Sequence, residues 1–439
     1  MTADPRSASA YDVITAVWGS AFIDLFLDFS VPNQASPANL PTLPPGSRYR
    51  IFTAGEDAAR LSAAPRLDTV RRIMPVDIVT VDLTEADRHA MPGQAWNTHK
   101  RMIACHRQAV AEAGPERRAM LFLTPDGVLA EGTIAGLLRM HRAGARAVMT
   151  TGIRLSREGF VAAMAKRGAV SALPPRELVG LAMQHLHSWT TWLMADGSGT
   201  SDNPTAVYWP VRSASGLDGI LVRSFFLHPI LVDPVYRTTL PGGPIDSHYV
   251  RDCCPDLTQV EVVDDSDDLA MFELSPDERL IGNRIRRRGV SVLRLATVAA
   301  RCNRHHRSYW SRPIRLHAGE FDERWTEAER LSATLAASVE RYRPLGPALL
   351  VMFQTLRMLR RRREAYATRL RKARRRTARF VYELREDSAA SSRELRKALR
   401  PPVPAKQFAR PAKLILHRAA RAFSLGLKRI RRRVVLFGR

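Results

Sequence analysis

From Tyr11 to Thr150 the chain repeats one pattern: a short apolar or alternating run, a stop, then a longer stretch with helical spacing. No other feature restricts the fold as much, because parallel strands must be joined by crossovers of about a dozen residues or more, usually helices. Residues 13–18 read as a buried strand stopped by Gly19. Residues 49–53 form a second, ending at Gly55-Glu56-Asp57, and residues 76–81 alternate as a third. Residues 120–123 are wholly apolar, as an interior parallel strand should be, and run into Thr124-Pro125-Asp126-Gly127. Residues 147–150 make a fifth. Between them, Phe22, Leu25, Phe26 and Phe29 recur at helical spacing, and residues 94–113 and 133–142 read as helices. The prolines of residues 32–45 predict an irregular connector. The fold class is α/β: a Rossmann-like, mostly parallel sheet with flanking helices.

Beyond Gly152 the pattern loosens. A helix is predicted near residues 176–192, a loop at 195–203, and strands at 219–222 and 260–263. Leu240-Pro241-Gly242-Gly243-Pro244 reads as a loop that leads into Ile245-Asp246-Ser247-His248. Ser275-Pro276-Asp277-Glu278 has the form of a capping box with proline at the first helical position, predicting a helix start there. A domain boundary is therefore expected near residue 280, giving an α/β domain over 1–280 and a basic helical extension over 281–439. Thr326 to Glu329 offers a second capping box within that extension.

Charge supports the same division. Residues 1–280 hold 26 Lys and Arg against 32 Asp and Glu, a net of −6; residues 281–439 hold 42 against 11, a net of +31. The front can be a catalytic or binding unit, whereas the rear must seek anions. Cys105, Cys253, Cys254 and Cys302 form no C-x-x-C pair, and no basic n-region with an apolar stretch opens the chain. No uncharged apolar run of about 18 residues is present either. These features predict a cytoplasmic protein without a transmembrane helix.

The familiar cofactor signatures are missing. No G-x-G-x-x-G follows the first strand, and no Walker A lysine, G-x-S-x-G or H-E-x-x-H occurs. An α/β sheet nevertheless places its ligands at the carboxyl ends of its strands. That directs attention to Trp18-Gly19, Gly55-Glu56-Asp57 and Thr124-Pro125-Asp126-Gly127. Residues 11–150 resemble the nucleotide-binding half of a GT-A-type glycosyltransferase. The points of likeness are the first strand ending at Val17-Trp18-Gly19, the long helix carrying Asn97 and His99-Lys100-Arg101, and the apolar strand delivering Asp126. The resemblance implies a nucleotide-sugar donor contacted by Trp18, Gly19, Asp57, Lys100 and Asp126. It also implies a divalent cation, Mn²⁺ or Mg²⁺, held by an Asp-x-Asp motif. Here Thr124-Pro125-Asp126 offers one carboxylate where two are usual.

Glycosyl transfer releases a nucleoside diphosphate, so negative charge develops on the leaving oxygen, and a cation or basic side chains can neutralise it. An inverting enzyme also needs a carboxylate base at the acceptor hydroxyl. Asp246, following a glycine-containing loop, is the candidate, and His248 is a further candidate metal ligand. Each has a plainer reading. Pro-Asp-Gly is a turn signature, Asp246 can cap a helix, Trp18 can be core, and the Asp264 to Asp268 cluster can be a solvated loop. His305 and His306, set among basic residues, read as surface residues.

The basic region reads toward an anionic partner. Residues 357–376 contain eleven Arg and Lys against Glu364 alone. In residues 413–435, apolar positions such as Leu414, Ile415, Phe423 and Leu427 interleave with cations, the pattern of an interfacial helix. The expected partner of residues 357–435 is an anionic membrane surface at the inner leaflet, with nucleic acid as the alternative. The rival to the enzyme reading is a non-catalytic anion-binding module for nucleic acid or polyphosphate on an α/β scaffold.

Overall fold

The computed structural model describes residues 10–386, apart from residues 84–95, 117, 169, 198, 202, 215, 237–238, 241–242, 279–283 and 287–289. The stretch 413–435 therefore lies outside the described residues. Fifteen strands occur among the described ones: β1 (Tyr11–Ala16), β2 (Arg48–Thr53), β3 (Val76–Thr80), β4 (Ala119–Phe122), β5 (Gly127–Leu129), β6 (Ala147–Thr150), β7 (Ile153–Ser156), β8 (Gly199–Ser201), β9 (Ala206–Ser213), β10 (Gly216–Ser224), β11 (His228–Val232), β12 (Val260–Val262), β13 (Met271–Ser275), β14 (Arg284–Arg286) and β15 (Ile314–His317).

Seven of them form the central sheet in the order β12-β6-β11-β4-β1-β2-β3. β1 pairs parallel to β2 and β4, β2 parallel to β3, and β12 parallel to β6; β11 alone runs antiparallel, between β4 and β6. The mixed α/β class with a mostly parallel sheet is thus the fold observed. Side-chain alternation feeds two layers. Ile14, Ala16, Met120 and Phe122 join one core with Cys105, Ala109 and Val110 of the helix Trp96–Glu116. Val13, Tyr49, Ile51 and Leu121 join another with Ile134, Leu137 and Leu138 of the helix Thr133–Arg142. A sheet buried on both faces explains why its strands read as apolar runs.

Several expectations need correction. Residues 219–222 are a strand, but β10 belongs to a separate three-stranded sheet with β9 and β15. The pairing of β10 with β15 carries the first compact unit through Val339, with the second beginning at Glu340, so residue 280 lies inside a unit. Ser275 closes β13 and opens no helix; residues 276–278 turn away instead. The helix predicted from the second capping box starts earlier, spanning Glu323–Tyr342. The proline-rich connector holds two short helical pieces, Val31–Gln34 and Leu40–Thr42. His305 and His306 are buried, because the helix Arg304–Ser311 packs beneath the loop that carries Asp246. All four cysteines are free and buried.

Candidate functional site

Strand order decides where a ligand can sit. From β1 the chain moves outward through β2 and β3, then returns to β4 on the other side of β1. The crossovers diverge at that point, and a crevice opens beyond the carboxyl ends of β1 and β4. A cavity of about 420 Å³ lies there. Ala16, Val17 and Trp18 reach it from the end of β1, and Phe122 through Asp126 from the end of β4. Gly19 takes a φ of 78°, a left-handed conformation that lets β1 turn sharply into the next helix.

Asp126 sits in a tight turn, with the Gly127 amide donating to the Thr124 carbonyl at 3.1 Å. The Pro-Asp-Gly motif is thus a turn, and Asp126 within it lines the cavity. The Leu274 amide donates to the Asp126 carbonyl at 2.9 Å, which docks this turn on β13. Glu273 and Arg154 are register partners on β13 and β7, their side chains pair at 3.1 Å, and both line the cavity. Arg154 also donates to Ser275 Oγ at 2.8 Å. Gly152 makes room for this arrangement, since a Cβ there would lie 2.7 Å from Glu273 Oε1.

Asp246 lies in the turn following Pro244 and reaches the same cavity. His306 Nε2 donates to its carbonyl at 3.2 Å, fixing the loop from below. Its Oδ1 is buried without a hydrogen-bond partner among the described residues, as is His106 Nδ1, which lines the same space. Leaving a buried polar atom unpaired costs about 1–3 kcal/mol, so two around one cavity mark a place shaped for a polar ligand.

Electrostatics agree. Burial, then the neighbouring Glu273 charge, push the Asp126 carboxyl up to about 6, with Arg154 opposing. Burial, with a smaller push from Glu273, raises Asp246 to about 6 as well. His228 Nε2 donates to the Phe122 carbonyl at 2.7 Å, and burial lowers its pKa, so it sits neutral on the cavity wall. Burial likewise depresses His106 to about 3.

The structure brings Trp18, Asp126 and Asp246 to one cavity, but not every candidate. Asp57 stands back from the wall and accepts the Gly19 amide at 2.8 Å, so it shapes the β1 loop without lining the space. Lys100 is half-buried on the helix Trp96–Glu116, whereas its neighbour His99 lines the cavity. His248 is exposed and off the wall, with Nδ1 3.2 Å from Asn303 Nδ2. Sequence reasoning weighed His228 only as a lone histidine, and missed Arg154, Glu273 and His106. For Arg154 and Glu273 the signal would have been the pairing of distant strands, which local periodicity does not contain.

Among the described residues, three metal-ligand side chains converge only at Asp265, Asp267 and His317, which do not line the cavity. Their oxygens already have partners: Arg176 grips both Asp267 oxygens, and His317 Nε2 lies 2.9 Å from Asp265 Oδ1. The cavity itself presents the oxygen donors of Asp126, Asp246 and Glu273 against one guanidinium. An acidic, oxygen-lined space with an unpartnered carboxylate oxygen fits a hard divalent cation, which Mg²⁺ sites typically hold through one or two carboxylates plus substrate phosphates.

No protein-family model and no curated protein matches the chain. Solved structures to which it is similar include a mannosyltransferase and a xylosyltransferase. Mannosyltransferase PcManGT from Pyrobaculum calidifontis, in complex with GDP-Man and Mn²⁺, aligns at a TM-score of 0.28 and 12% identity, over 80% of this chain and 77% of its own. Mouse xyloside xylosyltransferase 1 aligns at 0.23 and 12%, over 36% and 58%. S. aureus TarS aligns at 0.21 and 9%, over 33% and 22%. The chain thus spans less than two thirds of the length of the latter two. Likenesses this distant decide nothing by themselves; the chemistry of the site rests on strand order and the cavity.

Proposed function

We propose that the cavity binds a nucleotide-sugar donor and that the chain is a glycosyltransferase. The observation that carries this reading is the meeting of Trp18, Asp126 and Asp246 at the topological switch point of the sheet. Trp18, half-buried at the end of β1, offers a ring on which a base can stack. Asp126, with Glu273 beside it in the same cavity, would hold a divalent cation. When bound, that ion neutralises charge on the departing diphosphate. Asp246 accepts the proton of the acceptor hydroxyl. Its raised pKa makes it a stronger base than an exposed aspartate while leaving it ionised at neutral pH.

The same charges disfavour a bare polyphosphate as the occupant of this cavity. Three carboxylates and one guanidinium repel a polyphosphate unless a cation comes with it. The test is thermal shift with UDP-, GDP- and CDP-sugars, with and without Mn²⁺. One nucleotide class should raise Tm by several degrees in the presence of the ion, as ligand linkage requires, and Asp126→Asn should abolish the shift. No shift with any donor, together with binding of polyphosphate in the absence of metal, would overturn the assignment.

A further inference from the structure

The second compact unit contains the helix Gly346–Glu386, 41 residues long. Five of the eleven exposed large hydrophobic residues among those described belong to it: Val351, Met352, Leu356, Met358 and Tyr366. Their spacing is informative. Leu349, Met352, Leu356 and Leu359 recur at intervals of three and four, forming a short apolar line along one side; Arg363 takes the next position on it, Tyr366 and Leu370 resume it beyond, and Val351 and Met358 fall off it. Leu356, at 54% exposed, and Met352, at 37%, are its most open members outside the aromatic position. Arg362 and Arg369 border the line on one side and Arg371 on the other, while Arg363 and Arg374 fall on the line itself beyond Leu359.

Charge identifies the occupant. A second copy of this helix pairing through the line would place arginine against arginine at the flanking positions, where paired helices need opposite signs. Nucleic acid would be satisfied by the cations and has no use for an exposed leucine line. An anionic lipid surface uses both: phosphates take the guanidinium groups, and the headgroup region takes the apolar line. We infer that the helix Gly346–Glu386 lies in the plane of an anionic membrane, its Met352–Leu356–Leu359 line inserted and its flanking arginines on lipid phosphates. No helix among the described residues is long and apolar enough to cross a membrane, so contact of this kind is peripheral. The inference is independent of the donor reading.

The experiment uses the full chain and vesicles of phosphatidylcholine alone or with phosphatidylglycerol. Binding should require the anionic lipid, weaken at least about tenfold between roughly 0.1 and 0.5 M salt, and retain a measurable remainder. The double substitution Met352→Glu and Leu356→Glu should weaken it about tenfold or more at low salt. Because both sites are exposed, circular dichroism should show the helix intact. A solvent-sensitive fluorophore at Leu356→Cys should shift to the blue on vesicles, while one at Lys372→Cys, on the opposite face, should not. Equal binding by the double variant, equal shifts at both labels, or complete displacement by duplex DNA with no salt-resistant remainder would each overturn the inference. The last outcome would assign the helix to nucleic acid.

Discussion

The two edges of the central sheet bury the same kinds of charged group and treat them oppositely. At the amino edge, Asp12 is fully buried, and Arg48 grips both its oxygens at 2.8 and 3.0 Å, with Arg118 adding a third contact. Beside it, the Tyr11 hydroxyl meets His141 Nδ1 at 2.7 Å, and His141 Nε2 meets Asp233 at 2.9 Å, with Arg146 also on Asp233. Both of these carboxylates have cationic partners. At the carboxyl edge, Asp246 Oδ1 and His106 Nδ1 are buried without any partner among the described residues, and of the three carboxylates it is Glu273 that Arg154 pairs. A sheet can hold buried charge in order to be stable or in order to bind. The partners at each edge separate the two uses.

The largest expected effect tests the amino edge. Asp12→Ala leaves Arg48 and Arg118 facing a buried site with no anion, and breaking a pair of this kind costs about 3–5 kcal/mol. Urea unfolding should show that loss, while activity per folded molecule stays unchanged. A loss under about 1 kcal/mol, the size typical of exposed pairs, would erase the distinction between the edges.

Next comes turnover. Asp246→Asn keeps the shape of the loop but cannot take a proton, so kcat should fall by about 10²-fold or more with donor affinity retained. Unchanged turnover would remove Asp246 from the chemistry.

Legibility in the sequence tracks which interactions are local. The strands feeding the cavity are readable because an apolar run such as residues 120–123 announces its own burial, and the residues after it, Thr124 to Asp126, inherit a place at the strand end. Trp18 obeys the same logic. Glu273 and Arg154 are not readable, since they become neighbours only when β13 pairs with β7, more than a hundred residues apart. β11 is hidden because it is short and antiparallel within a parallel sheet. His305 and His306 read as surface residues among arginines, yet the helix that carries them is buried on the His side. The boundary expected near residue 280 tracks the change in net charge, but charge marks surface, and the pairing of β10 with β15 carries the fold beyond it.

A smaller effect concerns stability against pH. Burial raises Asp126 from 3.8 to about 6, so the native state holds this proton more tightly than the unfolded chain does. The stability that the proton represents is present below about pH 4 and is lost as pH climbs toward about 6, after which the profile is flat. Asp126→Asn removes that loss. The variant should therefore be more stable than the parent at about pH 7.5, by on the order of 2 kcal/mol, and equal to it near about pH 4. At the amino edge the corresponding change, Asp12→Asn, should destabilise at about pH 7.5, because it takes the anion from Arg48 and Arg118. A variant at position 126 that loses stability at neutral pH would mean that the Asp126 carboxylate is as well partnered as Asp12.

The smallest effect separates the two causes acting on Asp246. Its carboxyl is raised chiefly by burial and secondarily by the Glu273 charge. Glu273→Gln removes the charge and leaves the cavity its volume, so the acidic limb of the kcat/KM profile, set near about pH 6 by the group that must be ionised, should move to lower pH by less than about one unit. The direction is fixed, because a neighbouring anion can only disfavour ionisation of Asp246. The size is diagnostic. A shift well above one unit would make charge crowding the main device of the carboxyl edge, and the edges would then differ in how many carboxylates they gather. A small shift leaves burial in command: the difference is that Asp12 was buried with its cations and Asp246 without them.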